Sequence, residues 1–107
     1  MNRWNIPAWL EKEVTARDTH CVYCRTSFSA VHLKRSGKPS WKHIINDAKI
    51  ITRENIVRCC VGCNASKGQK TLAAWLESKY CIARGITAES IAPIAQAALG
   101  AVAGRDA

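Results

Sequence analysis

The spacing of apolar residues predicts a helix near the start of the chain, over residues 6–17. Its apolar positions are Ile6, Trp9, Leu10 and Val14. They recur with the period of a helix that buries one face. Asn5 is available as the N-cap, and Pro7 is tolerated in the first turn. We therefore expect this helix to lie against a core.

The same spacing predicts a second helix over residues 70–81. Its apolar positions are Leu72, Trp75, Leu76 and Tyr80. These residues need no role beyond packing, and Gly85 is suited to ending the helix because glycine tolerates the left-handed conformation found there.

A third helix is predicted over residues 88–103. One face carries Ile91, Ile94, Ala95, Ala98, Leu99 and Val102. Ser90 could cap this helix and leave Pro93 in its first turn, whereas a start at Thr87 would put a kink at Pro93. The alanine-rich face could pack on the core of the same chain or on a second copy.

Between these helices the pattern changes to short apolar runs. Turn residues over 35–40 precede a run over 41–45, and a second run covers 55–60. Short apolar runs next to turn signals favour a β-hairpin. A short helix is expected from Asn64 to Lys67. A chain of 107 residues is most simply one domain.

Two pairs of cysteines carry the first chemical prediction. Cys21 and Cys24 form one C-x2-C pair, Cys60 and Cys63 form another, and 35 residues lie between the pairs. Four thiolates at this spacing are typical of a tetrahedral zinc site, and a site closed by four thiolates is structural rather than catalytic. We therefore expect a structural Zn2+, which also suits a domain this small.

The remaining cysteines, Cys59 and Cys81, are expected to be core residues. Alternation along a strand puts Cys59 on the opposite face from Cys60. A register in which Cys59 replaces Cys60 would give C-x3-C, which is a less usual spacing for zinc.

The net charge of +8 lies entirely in the middle of the chain, because residues 1–24 and 71–107 each sum to zero. The cations of the middle are Arg25, Lys34, Arg35, Lys38, Lys42, Lys49, Arg53, Arg58, Lys67 and Lys70. Only Asp47 and Glu54 oppose them. A solvated basic face is the plain interpretation, but a concentration of charge around candidate phosphate chemistry favours nucleic acid as the partner.

Three polar residues complete a constellation in this basic segment. His43 lies in the first predicted strand, Asn55 begins the second, and Asn64 follows the last paired cysteine in the sequence CNASKG. Together with the two cysteine pairs, this order resembles the HNH endonucleases, whose site is of the ββα-metal type. The resemblance covers roughly residues 21–76, more than half of the chain.

The resemblance implies both a fold and an activity. The fold would be α+β, a small zinc-stapled ββα-metal core flanked by N-terminal and C-terminal helices, in a single domain over residues 1–107. The activity would be hydrolysis of DNA phosphodiester bonds with one divalent ion, Mg2+ or Mn2+. By this resemblance His43 would be the general base, Asn55 would tie the loop between the strands, and Asn64 would be a ligand of the divalent ion. Neutral imidazole and an amide oxygen suit these roles.

Lys42 departs from the pattern of the family, which has an acidic residue just before the histidine. An ammonium offers no oxygen and repels a divalent cation. Three interpretations follow. Lys42 is an inactivating substitution, natural or introduced, which is the one we favour; or Asp47 supplies the missing oxygen; or the lysine itself stabilises the leaving group without a metal. The first predicts that the fold and the affinity for DNA survive while turnover and binding of the catalytic ion are weakened.

The expected partner is double-stranded DNA, bound through its backbone. Backbone contacts could come from Lys34, Arg35, Lys38, Arg53, Arg58, Lys67 and Lys70. Phosphate contacts give affinity without sequence preference, so a homodimer or a partner protein would supply any specificity. The alternative function is a zinc-containing nucleic-acid-binding module without catalysis.

The sequence also bears on location. No run approaches the roughly 20 apolar residues that a membrane span requires, and the charged N-terminus is unlike a secretory signal. We expect a cytoplasmic protein with no membrane partner, and the resemblance implies that it is encoded by a bacterium or a phage.

Overall fold

An antiparallel hairpin in the middle of the chain organises the structure. The computed structural model describes residues 4–29 and 33–101, with Ala101 described by its backbone alone. Within these residues the elements are α1 (Ala8–Arg17), β1 (Pro39–His43), β2 (Ile56–Cys60), α2 (Val61–Lys67), α3 (Leu72–Leu76), α4 (Lys79–Arg84) and α5 (Pro93–Ala101), with a 3-10 turn at Arg35–Gly37. This mixture of helices and a two-stranded sheet confirms the α+β class.

The register of the hairpin decides which side chains share a face. Trp41 lies opposite Arg58, and His43 lies opposite Ile56. Because side chains alternate along a strand, these four residues lie on one face, and Lys42 lies on the other.

The two faces of the hairpin pack against different cores. A small core under α1 consists of Ile6, Leu10, Val14 and Ile56, with Trp4, Trp41 and Ile51 packed against it. A larger core on the other face joins Ile44 and Val57 to Trp75, Ile91 and residues of the first cysteine pair. The hairpin is therefore the middle layer, with α1 on one side and the later helices on the other.

The first helix is shorter than predicted and is capped differently. It begins at Ala8, where the amides of Leu10 and Glu11 donate to the Pro7 carbonyl at 3.0 Å. Asn5 lies upstream with a φ of 57° and does not cap the helix. Trp9 is also not a core residue, because 57 % of it is exposed and the Arg53 guanidinium lies 5.7 Å from its ring.

The helix predicted over residues 70–81 is two helices, α3 and α4. Ser78 explains the break, because its hydroxyl accepts a hydrogen bond from the Cys81 amide at 3.3 Å and begins a new helix. Serine in a helix competes for backbone groups in this way. Gly85 ends α4 in the left-handed conformation, with a φ of 67°, as predicted.

The last helix begins at Pro93, so neither predicted start is correct. Thr87 and Ser90 instead exchange hydrogen bonds between their side chains and amides, at 2.8 and 3.1 Å, and form a turn. Ala95 is buried, and Ile94, Ala98 and Leu99 pack against the larger core, so this face is intramolecular. Residues 102 and 103 of the predicted helix lie outside the described residues. None of the helices in the described part of the chain is long and apolar enough to cross a membrane.

Candidate functional site

A four-cysteine cluster lies at one end of the hairpin. The sulfur atoms of Cys21, Cys24, Cys60 and Cys63 all lie within 4.8 Å of one another. The first pair comes from a tight turn, and the second pair spans the end of β2 and the first turn of α2. Four thiolates in a closed group could hold a metal ion such as zinc, as the spacing predicts.

Hydrogen bonds around the cluster suit sulfur atoms that carry negative charge. The amides of Tyr23 and Cys24 both donate to the Cys21 sulfur at 3.4 Å. The Cys63 amide donates to the Cys60 sulfur at 3.3 Å. Such donors stabilise the thiolate form, which is the form that binds metal.

Tyr80 adds a hydroxyl donor to the same cluster. Its Oη donates to the Cys63 sulfur at 3.4 Å. Burial, followed by the hydrogen bond with Cys63, raises the pKa of Tyr80, so the hydroxyl keeps its proton and remains a donor. Gly62 makes room for this contact, because a Cβ at that position would come within 3.2 Å of the Tyr80 hydroxyl oxygen. Only a packing role was predicted for Tyr80, since helical spacing carries no information about a hydroxyl.

The thiols differ in their ease of ionisation. Hydrogen bonds with Cys21, Cys60 and Cys63 lower the pKa of Cys24. Cys59 behaves differently, because burial raises its pKa to about 12.

Cys59 and Cys81 lie outside the cluster and in the larger core, as predicted. Cys59 lies opposite Ser40 in the hairpin, on the face away from Cys60. The alternative set of ligands with Cys59 in place of Cys60 is therefore not the one that the structure brings together.

A second site lies at the opposite end of the hairpin. It is a pocket of about 290 Å³. Its lining residues are Trp4, Trp41, Lys42, His43, Asn46, Ala48 and Asn64. Three residues predicted to form a site, Lys42, His43 and Asn64, are therefore brought together. Trp4 and Asn46 were not predicted, because neither belongs to a sequence motif.

His43 is almost completely buried, with 6 % of it exposed. Its Nε2 atom is buried and has no hydrogen-bond partner among the described residues, and the ring of Trp4 lies edge-on at 5.3 Å between centroids. Burial, and then the charge of Lys42, lower the pKa of His43, while Asp47 acts in the opposite direction. The imidazole is therefore neutral near pH 7, the form that can accept a proton.

Asn64 is held by its amide nitrogen. Nδ2 donates to the Ser40 hydroxyl at 3.0 Å and to the Trp41 carbonyl at 3.2 Å, so the side chain of α2 is fastened to β1. With the nitrogen engaged in this way, the amide oxygen remains as a hard donor suited to a divalent ion.

Lys42, the third of the predicted residues at this pocket, is also held in place by the fold. It is buried, with 8 % exposed, and its ammonium donates to the Gly68 carbonyl at 2.7 Å. Burial lowers the pKa of Lys42. A cation therefore occupies the side of β1 that faces the end of α2.

Asn55 makes the contacts expected of a residue that ties the loop between the strands. Its Oδ1 accepts from the Ile45 amide at 2.7 Å, and its Nδ2 donates to the carbonyls of Ile45 and Ile50 at 3.2 and 3.1 Å. The loop that carries Asn46 and Ala48 to the pocket is thus held at its base.

The residues predicted to contact DNA differ in how exposed their side chains are. Lys34, Arg35, Lys38 and Lys70 are exposed. Arg53 is exposed but paired with Glu13 at 2.7 Å, and Arg58 is half-buried.

Lys67 differs from all the others because it is completely buried. Its ammonium donates to the carbonyls of Ile44 and Lys70 at 2.8 and 3.0 Å. This is not the position of a surface phosphate contact, and Lys67 is removed from the predicted set of DNA-binding residues.

Comparison of the chain with models of protein families, with curated proteins and with solved structures finds no match.

Proposed function

We propose that this chain is a ββα-metal nuclease of HNH type that acts on DNA and whose chemistry is weakened by Lys42. The observation that carries the proposal is that His43 and Asn64 line one pocket, on a hairpin and helix that share a four-cysteine cluster. The order β1, β2, α2 is the order of elements that a ββα-metal site uses.

The roles follow from the chemistry of each group. His43 is neutral near pH 7 and would accept a proton from the attacking water. Asn64 would hold a divalent ion, Mg2+ or Mn2+, through its amide oxygen. Such an ion would supply positive charge for the phosphate and the leaving oxygen. The exposed cations Lys34, Arg35 and Lys38 would hold the backbone of double-stranded DNA.

Lys42 argues for weak catalysis. Lys42 lines the same pocket and its charge lowers the pKa of His43, so it would oppose a divalent cation there. Asp47 is near enough to influence the pKa of His43, but it does not line the pocket. The favoured interpretation is therefore that the carboxylate is missing, rather than replaced by Asp47.

The second candidate function is a nucleic-acid-binding module without catalysis. The observation in its favour is the 2.7 Å hydrogen bond from Lys42 to the Gly68 carbonyl, which makes the lysine part of the packing between β1 and the end of α2. A residue integrated in this way serves the scaffold whether or not the pocket is catalytic.

The test is a plasmid-nicking assay with Mg2+ or Mn2+ that compares the chain with Lys42→Glu and with Lys42→Glu combined with His43→Ala. We expect Lys42→Glu alone to nick, and addition of His43→Ala to reduce the rate by about a hundredfold or more, as for loss of a general base. Lys42→Met is the matched control, because it removes the cation without adding an oxygen.

Three outcomes decide between the candidates. Nicking by Lys42→Glu but not by Lys42→Met supports the nuclease proposal. Nicking by the unaltered chain would show that the lysine is compatible with turnover. If no variant nicks and all bind DNA with normal zinc content, the binding-module function replaces the nuclease proposal.

A further inference from the structure

We infer that the pocket around His43 binds a nucleotide whose base has left the stack, in a single strand or at an unpaired position of a duplex. This inference deepens the proposed function and rests on it, because it names the form of nucleic acid that the site accepts.

The walls of the pocket combine flat apolar surface with hydrogen-bonding groups. Trp4 and Trp41 contribute two indole rings, and Asn46 and Asn64 contribute amides. Nucleobases have the matching character, with two π faces for aromatic rings and an edge of donors and acceptors for amides. A ligand made only of phosphate offers no flat face that could stack on the indole rings.

His43 indicates a polar ligand independently of the pocket's shape. It is more than nine-tenths buried, it lines the pocket, and within residues 4–29 and 33–101 its Nε2 has no hydrogen-bond partner. A buried polar atom without a partner costs free energy, and a polar ligand would recover it. Lys42 also lines the pocket, and its positive charge would attract the phosphate of the bound nucleotide.

The surface beside the pocket continues the same chemistry along the hairpin. The Arg58 guanidinium lies 5.1 Å from the ring centre of Phe28 and 6.0 Å from that of Trp41. The hairpin register places Arg58 next to Trp41 on the face that carries His43. A row of aromatic rings with a guanidinium among them is typical of a surface along which unpaired bases stack.

A base inside an intact duplex cannot use these walls. Its faces are covered by its neighbours in the stack, so it must leave the helix before an indole ring can lie against it. The pocket therefore favours nucleic acid in which that step is already complete.

The test measures the affinity of the zinc-loaded full chain for three short labelled DNA probes, without Mg2+, by fluorescence anisotropy. The probes are an oligothymidylate, the same strand lacking its bases, and a blunt duplex of equal length. The first two carry the same phosphates, so their difference reports the bases. We expect the oligothymidylate to bind about tenfold more tightly than the abasic strand.

Variants assign that difference to the pocket. Trp41→Leu should abolish the preference for bases, and Trp41→Phe should keep most of it because an aromatic face remains. Trp9→Leu is the matched control, since Trp9 is 57 % exposed on α1 and outside the pocket. If Trp41→Leu lowers the zinc content or the melting temperature, Asn46→Ala is tested instead, because Asn46 is an exposed residue of the pocket. This substitution should lower the affinity for the oligothymidylate a few-fold.

Equal affinity for the thymidylate and abasic strands would overturn the inference, and so would equal effects of Trp41→Leu and Trp9→Leu. The outcome is separable from that of the proposed function, because binding is measured without the catalytic ion. If Lys42→Glu nicks DNA but no preference for bases is found, the nuclease proposal stands and the inference about base binding fails. If a preference for bases is found but no variant nicks DNA, the inference about base binding stands and the nuclease proposal fails.

Discussion

The two ends of the hairpin differ in how completely their residues specify a chemistry. At one end, four cysteines bring four sulfur atoms within 4.8 Å, and donors from the backbone and from Tyr80 surround them. At the other end, His43 and Asn64 share a pocket with Lys42, a residue of the wrong charge for a divalent ion. The cysteine end offers four thiolates that could hold a metal ion, whereas the histidine end lacks the carboxylate that the proposed nuclease site requires.

Geometry alone supports a function more strongly for one of these two kinds of site than for the other. A closed set of four equivalent ligands has few uses other than metal binding, so geometry alone supports it. A catalytic pocket depends on each member separately, and a single cation among its ligands changes what the remainder can do.

Substitution of a cysteine in the cluster should have the largest effect on stability. Cys63→Ala should prevent stable zinc binding and unfold the domain, because the free energy of binding structural zinc, about 10–16 kcal/mol in small domains, matches or exceeds the stability of a domain of this size. Zinc content per chain and far-UV circular dichroism would measure the loss. Cys81→Ala is the control, since Cys81 is buried but outside the cluster, and full zinc content is expected. A folded Cys63→Ala chain would show that the cluster is dispensable.

At the histidine end, Asn55→Ala should cost about 3 kcal/mol while leaving zinc content unchanged. The substitution removes the side chain that makes three hydrogen bonds to Ile45 and Ile50 and leaves part-buried backbone groups without these partners. Urea denaturation would measure the change. Asn46→Ala, at an exposed position in the same loop, should have little effect. Loss of zinc from Asn55→Ala would mean that the two ends are not independent.

Sequence reasoning succeeded where a local pattern has one physical meaning. Two short apolar runs next to turn residues predicted the hairpin, and the two C-x2-C pairs predicted the cluster. Alternation along the second strand predicted that Cys59 lies outside it. Asn55 was expected to tie the loop and makes those contacts.

It failed where tertiary contacts decide. Lys67 belongs to a basic run, yet its ammonium lies in the core against the Ile44 carbonyl. Trp4 carries no motif, yet folding places its ring against His43. Ser78 looked like one more position in a long helix, and its hydroxyl instead starts a new one. In each case the partner is a group that the periodicity of the segment does not identify.

The pH dependence of stability tests whether the Lys67 ammonium is buried against the Ile44 carbonyl, next to His43. Burial, with a further contribution from the charge of Lys42, lowers the pKa of Lys67 to about 8 from an unfolded value of 10.5. Below pH 8 the charged form therefore carries its full cost in the folded state, and this cost disappears as the pH rises to 10.5. Relative to Lys67→Met, the chain should gain about 3 kcal/mol of stability across that interval.

Urea denaturation of both proteins at several pH values would measure this gain, and the cysteine titrations are common to the two and cancel. The Lys70→Met variant is the control, because Lys70 is exposed, and it should follow the unaltered chain. Parallel pH profiles for the chain and for Lys67→Met would contradict the burial of the ammonium.

A smaller effect, on zinc affinity, is expected from loss of one hydrogen-bond donor beside the cysteine cluster. Tyr80→Phe removes the hydroxyl that donates to the Cys63 sulfur at 3.4 Å. Loss of such a supporting hydrogen bond should lower zinc affinity about tenfold, measured by competition with a chelator. Tyr23→Phe is a matched control, because the rings of Tyr23 and Tyr80 both pack on Trp75. The Tyr23 hydroxyl is buried and has no hydrogen-bond partner in the part of the chain that the structure describes. Its removal should leave zinc affinity unchanged and should not destabilise the fold, since no bond is lost. If both variants weaken zinc equally, the effect comes from packing, and the hydroxyl of Tyr80 has no special part in holding the metal.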